Sequence, residues 1–354
     1  MTEDLIAQIC RRVADAAASK TRLRIRGGGT KDFYGRAPQG EPLELSGYSG
    51  IVAYEPKELV LTVRAGTPLA EVEEALARER QMLPFEPPHF DDGRRATIGG
   101  IVASGLSGPR RPYAGSVRDF VLGTRIVNGK GEDLSFGGRV IKNVAGYDVS
   151  RLMVGALGTL GVLLQVSFKV LPRPPAEATL AFELDDDAAI QQANRWAGQP
   201  LPLSATAWQD GVLRVRLSGA QTAVHAAKAR MGGEEVAEAG AFWAQLREHR
   251  LPFFAADRPL WRLSLPQAAP AFALAHPQLI EWGGGLRWVS GELDARQVRA
   301  TVEGLGGHAT LFRGGNKALG VFHPLQPAIL KIHRRLKQSF DPAGVLNPGR
   351  MYDF

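Results

Sequence analysis

Arg22-Leu23-Arg24-Ile25-Arg26-Gly27-Gly28-Gly29-Thr30-Lys31 is the stretch on which the fold turns. From Arg22 to Arg26 polar and apolar residues alternate with period two, the pattern of a half-buried strand, and the strand runs straight into three glycines. Consecutive glycines can turn several backbone N–H groups inward as an anion nest, with Thr30 as hydroxyl donor and Arg26 or Lys31 as cation. Three more glycine-rich segments follow: Ala96-Thr97-Ile98-Gly99-Gly100-Ile101-Val102-Ala103-Ser104-Gly105, Pro112-Tyr113-Ala114-Gly115-Ser116-Val117-Arg118-Asp119, and Gly155-Ala156-Leu157-Gly158-Thr159-Leu160-Gly161. Taken singly, each reads as a turn. Four in one half of the chain, most abutting a strand, predict loops that cradle one large phosphate-bearing cofactor, touched mainly by backbone.

Composition agrees with that reading. The chain has 354 residues, long enough for two domains, and 23 of its 41 glycines fall in the first 161 positions. Its single cysteine, Cys10, cannot close an intrachain disulfide or ligate an iron–sulfur cluster, so any such centre belongs to a partner. The formal net charge is +7, but 33 of the 43 basic residues are Arg scattered singly or in pairs, unlike the basic stripe of a nucleic-acid binder. No basic-then-apolar leader and no apolar run near the roughly 18–20 residues of a membrane span is read, so a cytoplasmic protein is expected, with attachment to a membrane through partners left open. G-x-G-x-x-G, G-x-x-x-x-G-K-[ST], G-x-S-x-G and H-E-x-x-H are all missing, and the seven His lie far apart, so no metal site is predicted.

Along the chain, residues 3–18 place Leu5, Ile6, Ile9 and Val13 on one helical face. Short strands are expected at 43–45, 51–54, 59–64, 121–128 and 161–171, and Thr67 is expected to cap a helix that has Pro68 at its first position. Pro172-Arg173-Pro174-Pro175 permits neither strand nor helix to continue and marks a boundary. Beyond it, 179–184, 185–197, 204–217 and 221–231 read as strand, helix, hairpin and helix, and 260–265, 286–290, 293–305 and 308–312 look like a second round. That alternation predicts an α+β unit with an antiparallel sheet. A last helical stripe, Ile329, Ile332, Leu336 and Phe340, leads into a tail that returns to the first domain.

With Lys142-Asn143-Val144-Ala145-Gly146-Tyr147-Asp148 and the closing Phe340-Asp341-Pro342-Ala343-Gly344-Val345-Leu346-Asn347-Pro348-Gly349-Arg350, the loop order resembles the vanillyl-alcohol-oxidase type of FAD-binding flavoprotein. Within it, Pro87-Pro88-His89-Phe90 and Gly105-Leu106-Ser107-Gly108-Pro109-Arg110-Arg111 are similar to the FAD-binding E subunits of bacterial glycolate oxidase. The resemblance implies a two-subdomain FAD-binding domain at 1–174, joined by 316–354, and an α+β antiparallel-sheet cap domain at 175–315.

It also implies FAD held noncovalently. Gly27, Gly28, Gly29 and Thr30 would take the pyrophosphate, assisted by Thr97, Gly99, Gly100 and by Arg26 or Lys31. Gly115, Ser116 and Asp119 would lie along the flavin, and Gly158, Thr159, Gly161 and Val162 at the adenine end; Ile98, Ser104, Gly108 and Lys142 complete the expected contacts. The implied activity is that of a subunit of a multi-subunit glycolate oxidase, turning glycolate into glyoxylate beside a homologous flavoprotein subunit and an iron–sulfur subunit. A stand-alone FAD-dependent 2-hydroxy-acid or sugar-alcohol dehydrogenase and a non-catalytic flavin-binding scaffold are the alternatives. Catalytic relatives carry H-x-G-D-G-N-x-H; here Gly306-Gly307-His308-Ala309-Thr310-Leu311-Phe312 has neither the Asp, the Asn nor the second His, and no catalytic base is identified. Arg262 and Arg313 are the candidates for binding a small 2-hydroxy-acid substrate, each with a surface ion pair as the plain alternative.

Overall fold

The computed structural model describes residues 2–91, 93–138, 147–255, 257–272 and 276–354. Two antiparallel sheets organise them. The first has five strands, in the order Ile51–Glu55, Val60–Arg64, Val162–Lys169, Val121–Val127 and Asp133–Gly137. Its central strands read as nearly unbroken apolar runs because both faces are covered. On one face Leu61, Val63, Ile126, Val166 and Phe168 meet the helices Leu69–Arg78 and Ile98–Ser104. On the other, Val127, Val162 and Leu164 meet Ile6, Ile9 and Val13 of the helix Thr2–Ser19.

The glycine-bearing strand stands outside this sheet. Leu23–Arg26 pairs in parallel with Glu41–Glu44 and bridges Leu346 of the tail, so the last part of the chain closes against the first. The helix Pro327–Phe340 leads into that contact, its Lys337 donating to Thr159 O at 2.8 Å, Leu346 O at 2.9 Å and the buried carboxylate of Asp341 at 2.6 Å.

The second sheet has eight antiparallel strands, in the order Glu234–Glu235, Ala176–Glu183, Val212–Gly219, Leu203–Gln209, Gln278–Glu281, Leu286–Ser290, Leu260–Ser264 and His308–Arg313. One face carries the helices Asp186–Ala197, Gln221–Met231 and Ala295–Gly304. The other presents Leu260, Leu286, Trp288 and Phe312 to Tyr34, Leu106 and Leu157 of the glycine loops. Residues 173–175 lie between the short strand Leu171–Pro172, which pairs with Gln81–Met82, and the strand Ala176–Glu183 of this sheet, so strand structure runs one residue into the proline segment from which its sequence excludes it.

Three local readings are corrected. Thr67 does not cap: it is fully buried, its hydroxyl donating to Arg64 O at 2.7 Å and accepting from Gly50 N at 2.9 Å, and the helix opens after Pro68 with no side-chain cap. The segment read as a loop from Ala96 is a helix over Ile98–Ser104, because Thr97 supplies an N-cap and Gly105 a left-handed stop at φ 65°. The third segment is likewise two short helical turns, Arg111–Ala114 and Val117–Phe120. In the second half of the large sheet the alternation is incomplete, since no helix is found among the described residues between Leu260–Ser264 and Gln278–Glu281.

Candidate cofactor site

The strand Leu23–Arg26 delivers Gly27–Thr30 to the wall of a cavity of about 810 Å³, part of it open to solvent. The backbone amides of Gly28, Gly29 and Thr30 have no hydrogen-bond partner among the described residues, which leaves these donors able to serve an anion. The loop has no room for side chains on its outer side. A Cβ on Gly28 would stand 1.5 Å from Arg95 O and one on Gly27 2.2 Å from Thr97 Oγ1, so the first two glycine segments lie back to back.

Lys31 is the cation at this nest. Its ammonium donates to Thr30 Oγ1 and His89 O, each at 3.2 Å, and sits 5.6 Å from the centre of the Phe90 ring. Burial pulls its pKa down to about 8, against the pull of Glu248 and Asp91. Arg26 is instead shared between Asp32 and Glu44, each at 3.4 Å and each half exposed. Arg350 closes the far wall, donating to the carbonyls of Arg36, Lys31 and Asp32.

The structure brings Arg26, Gly27, Gly28, Gly29, Thr30, Lys31, Thr97, Gly99, Gly100, Ser104, Gly158 and Gly161 around this one cavity. Ile98 and Val162 are fully buried beneath it in the two cores of the smaller sheet. Thr159 turns its hydroxyl to Ala156 O at 2.7 Å. Gly115, Ser116 and Asp119 are not in the lining; Gly115 ends the turn Arg111–Ala114, and Ser116 and Asp119 form a local capping box in which Asp119 accepts from Ser116 N at 2.7 Å and Ser116 Oγ at 2.8 Å. Burial works against ionisation of Asp119, but those two bonds, with Arg151 and Arg111, hold its pKa below the usual carboxylate value. Lys142 lies outside the described residues. Asp32, Pro38, Ala103, Leu157, Asn347 and Arg350 also line the cavity, and no role was assigned to them from sequence. The tail Asn-Pro-Gly-Arg was the one signal that pointed toward the last two.

Gly108 belongs to a second, smaller crevice of about 340 Å³ between the glycine loops and the eight-stranded sheet, lined also by Phe90, His249, Arg262, Glu281 and Trp288. Arg262 reaches it from the sheet, its guanidinium 5.3 Å from the centre of the Trp282 ring and within electrostatic reach of Tyr34 and Glu281. Arg313 does not line it; its guanidinium donates to Phe254 O at 2.9 Å. Glu281 accepts from Trp288 Nε1 at 2.7 Å, and burial pushes its pKa up to about 7. Burial, with Arg313 and Arg262 nearby, keeps His249 neutral, its pKa well below the ordinary value. Among the described residues no group of three or more His, Cys, Asp or Glu is placed to hold a metal ion.

A glycine-walled cavity whose loop amides have no partner among the described residues, beside a buried lysine, has the chemistry to take the diphosphate of a dinucleotide. Residues 4–137 match the family described as FAD binding domain. Solved structures of alkyldihydroxyacetonephosphate synthase share the fold, one with a TM-score of 0.63 and 15% identity, covering 96% of this chain and 75% of that one. Over 349 residues the chain is 50% identical to glycolate oxidase subunit GlcE of Escherichia coli (strain K12), covering 99% of this chain and 98% of that one, and it belongs to that family. It is also 34% identical over 169 residues to glycolate oxidase subunit GlcD of Bacillus subtilis, covering 47% of this chain and 35% of that protein.

Proposed function

We propose that this chain holds FAD noncovalently in the glycine-walled cavity and serves as the FAD-binding subunit of a multi-subunit glycolate oxidase. The observation that carries the reading is whole-length identity to a glycolate oxidase subunit in a chain whose cavity has the free amides and buried cation that a pyrophosphate needs. The FAD domain comprises 1–174 with 316–354, and 175–315 forms the cap. Gly28, Gly29 and Thr30 amides and Lys31 bind the pyrophosphate, while Gly158 and Gly161 bring backbone to the adenine end. Bound FAD supplies the two-electron acceptor of the reaction.

Glycolate becomes glyoxylate in the assembled complex, with a homologous flavoprotein subunit and an iron–sulfur subunit as partners. Cys10 being the single cysteine, the cluster that takes the electrons onward sits on another chain. Arg262 is the guanidinium offered to a carboxylate, because Arg313 is engaged by a backbone carbonyl. No helix among the described residues is long and apolar enough to cross a membrane, and we place the chain in the cytoplasm, with membrane association through its partners.

A flavin-holding role without substrate oxidation on this chain is the second reading, favoured by the missing H-x-G-D-G-N-x-H motif. The visible spectrum of the purified chain tests both. A yellow protein is expected, unbleached by anaerobic glycolate alone and bleached when both partner subunits are added. A colourless protein that gains no thermal stability on adding FAD overturns the cofactor assignment.

A further inference from the structure

We propose that Asn347 is a positioning residue, a side-chain strut that fixes the spacing between the first and fourth glycine loops across the cofactor cavity. The inference rests on the reading of that cavity as the FAD site.

Asn347 is buried, and its carboxamide is used at both ends. Oδ1 accepts from Ile25 N at 2.8 Å, on the strand that feeds Gly27, and Nδ2 donates to Leu157 O at 2.7 Å, immediately before Gly158. The two loops are 130 residues apart in sequence and share no other side chain that bonds both backbones among the described residues. The strut fits tightly. A Cβ on Gly158 would stand 2.7 Å from Asn347 Nδ2, and Gly158 itself has φ 71°, so glycine is needed there twice over.

The residue is held in a left-handed conformation, φ 41°, which Asn tolerates better than most residues and which costs backbone energy unless its surroundings enforce it. They do. Asn347 N donates to Leu23 O at 2.9 Å and Leu23 N to Val345 O at 2.8 Å, while Lys337 grips Thr159 O and Leu346 O on either side. The tail thus has its own anchors, and the carboxamide is left to set the distance between the cavity walls. An asparagine suits the place because one end must accept and the other donate, which no carboxylate or hydroxyl of that reach does at once.

Asn347→Gly removes the carboxamide and keeps the left-handed backbone unstrained, so folding is preserved. In the apoprotein, hydrogen exchange at the Leu157 and Thr159 amides is expected to speed up while exchange in the eight-stranded sheet is unchanged. FAD affinity, titrated by flavin fluorescence, is expected to weaken by about tenfold or more, alongside a lowered but still cooperative apoprotein melting transition from the two lost hydrogen bonds. Asn347→Asp keeps the acceptor for Ile25 N and loses the donor, so faster exchange is expected on the Leu157 side alone. Unchanged exchange at Leu157 and Thr159 in both variants overturns the strut. So does unchanged FAD affinity in Asn347→Gly. If the wild-type chain binds no FAD, the cofactor reading falls instead, and the exchange data still decide whether Asn347 braces the loops.

Discussion

Gly28 is a glycine on account of the protein's own backbone. Any Cβ there meets Arg95 O at 1.5 Å, so Gly28→Ala should move the loop, destabilise the fold by about 2–4 kcal/mol in denaturant titration and abolish flavin retention together. Gly100 behaves differently, because a Cβ there meets only Thr97 Oγ1, at 3.3 Å, within the cavity wall. Gly100→Ala should leave the melting temperature unchanged or slightly raised and still weaken FAD binding, which separates cavity from fold. Lys31 sets a pH dependence. Its pKa, lowered to about 8, means that the empty cavity begins to lose this charge near pH 8, whereas a diphosphate favours the protonated ammonium. FAD affinity should therefore fall as pH rises through 8, by at most about tenfold per unit, and Lys31→Met should flatten that slope. The same shift acts on the apoprotein with opposite sense. The unfolded chain binds the extra proton between pH 8 and 10.5, so Lys31 costs stability at neutral pH and the cost fades as pH rises across that window.

The helix Ile98–Ser104 shows which elements sequence reveals and which it hides. Its small residues and two glycines read as a loop by propensity, yet packing of Ile98, Ile101 and Val102 into a closed core overrides that preference. Thr97 holds its first turn, accepting from Gly100 N at 3.3 Å; Thr97→Ala should cost about 1 kcal/mol in thermal unfolding and loosen the adjoining Gly27. Asp186–Ala197 was legible because its buried Ala189, Ile190, Ala193 and Trp196 recur at helical spacing, and the hairpin over Leu203–Gln209 and Val212–Gly219 because Asp210-Gly211 marks the turn between two runs of strand length. Gln278–Glu281 was not, since all but its first residue are buried and four residues carry too little pattern to separate strand from loop. The glycine walls of the cavity were legible for a related reason: clustered glycine is a local signal. Pro38 was not, because nothing in its own neighbourhood announces it, and Arg350 enters the site by tertiary return with only the Asn-Pro-Gly-Arg tail as a signal.

At the scale of the whole molecule, a buried charge network centred on Glu86 helps join the side of the smaller sheet to the eight-stranded sheet. Glu86 accepts from Arg110 N at 2.9 Å and Arg110 Nε at 3.3 Å on its own side, and from Arg216 Nη2 at 2.9 Å across the junction, while Arg110 reaches over to Glu177 at 2.5 Å. Both guanidiniums are buried, so removing the charge leaves them short of a partner. Glu86→Gln should lower stability by about 2–3 kcal/mol and split a single denaturation curve into two steps, one for each sheet. The tail contact has a consequence in time as well as in space. Ile25 and Asn347 stand 322 positions apart, yet their bond helps wall the cavity. A ribosome adding about 5–20 residues per second exposes the Gly27–Thr30 loop roughly 15–60 seconds before Asn347 exists. Through that interval the nascent chain has the glycine loop without its opposite wall, so the cavity first exists in the finished polypeptide, and a ligand that needs both walls is expected to bind only after the tail has docked.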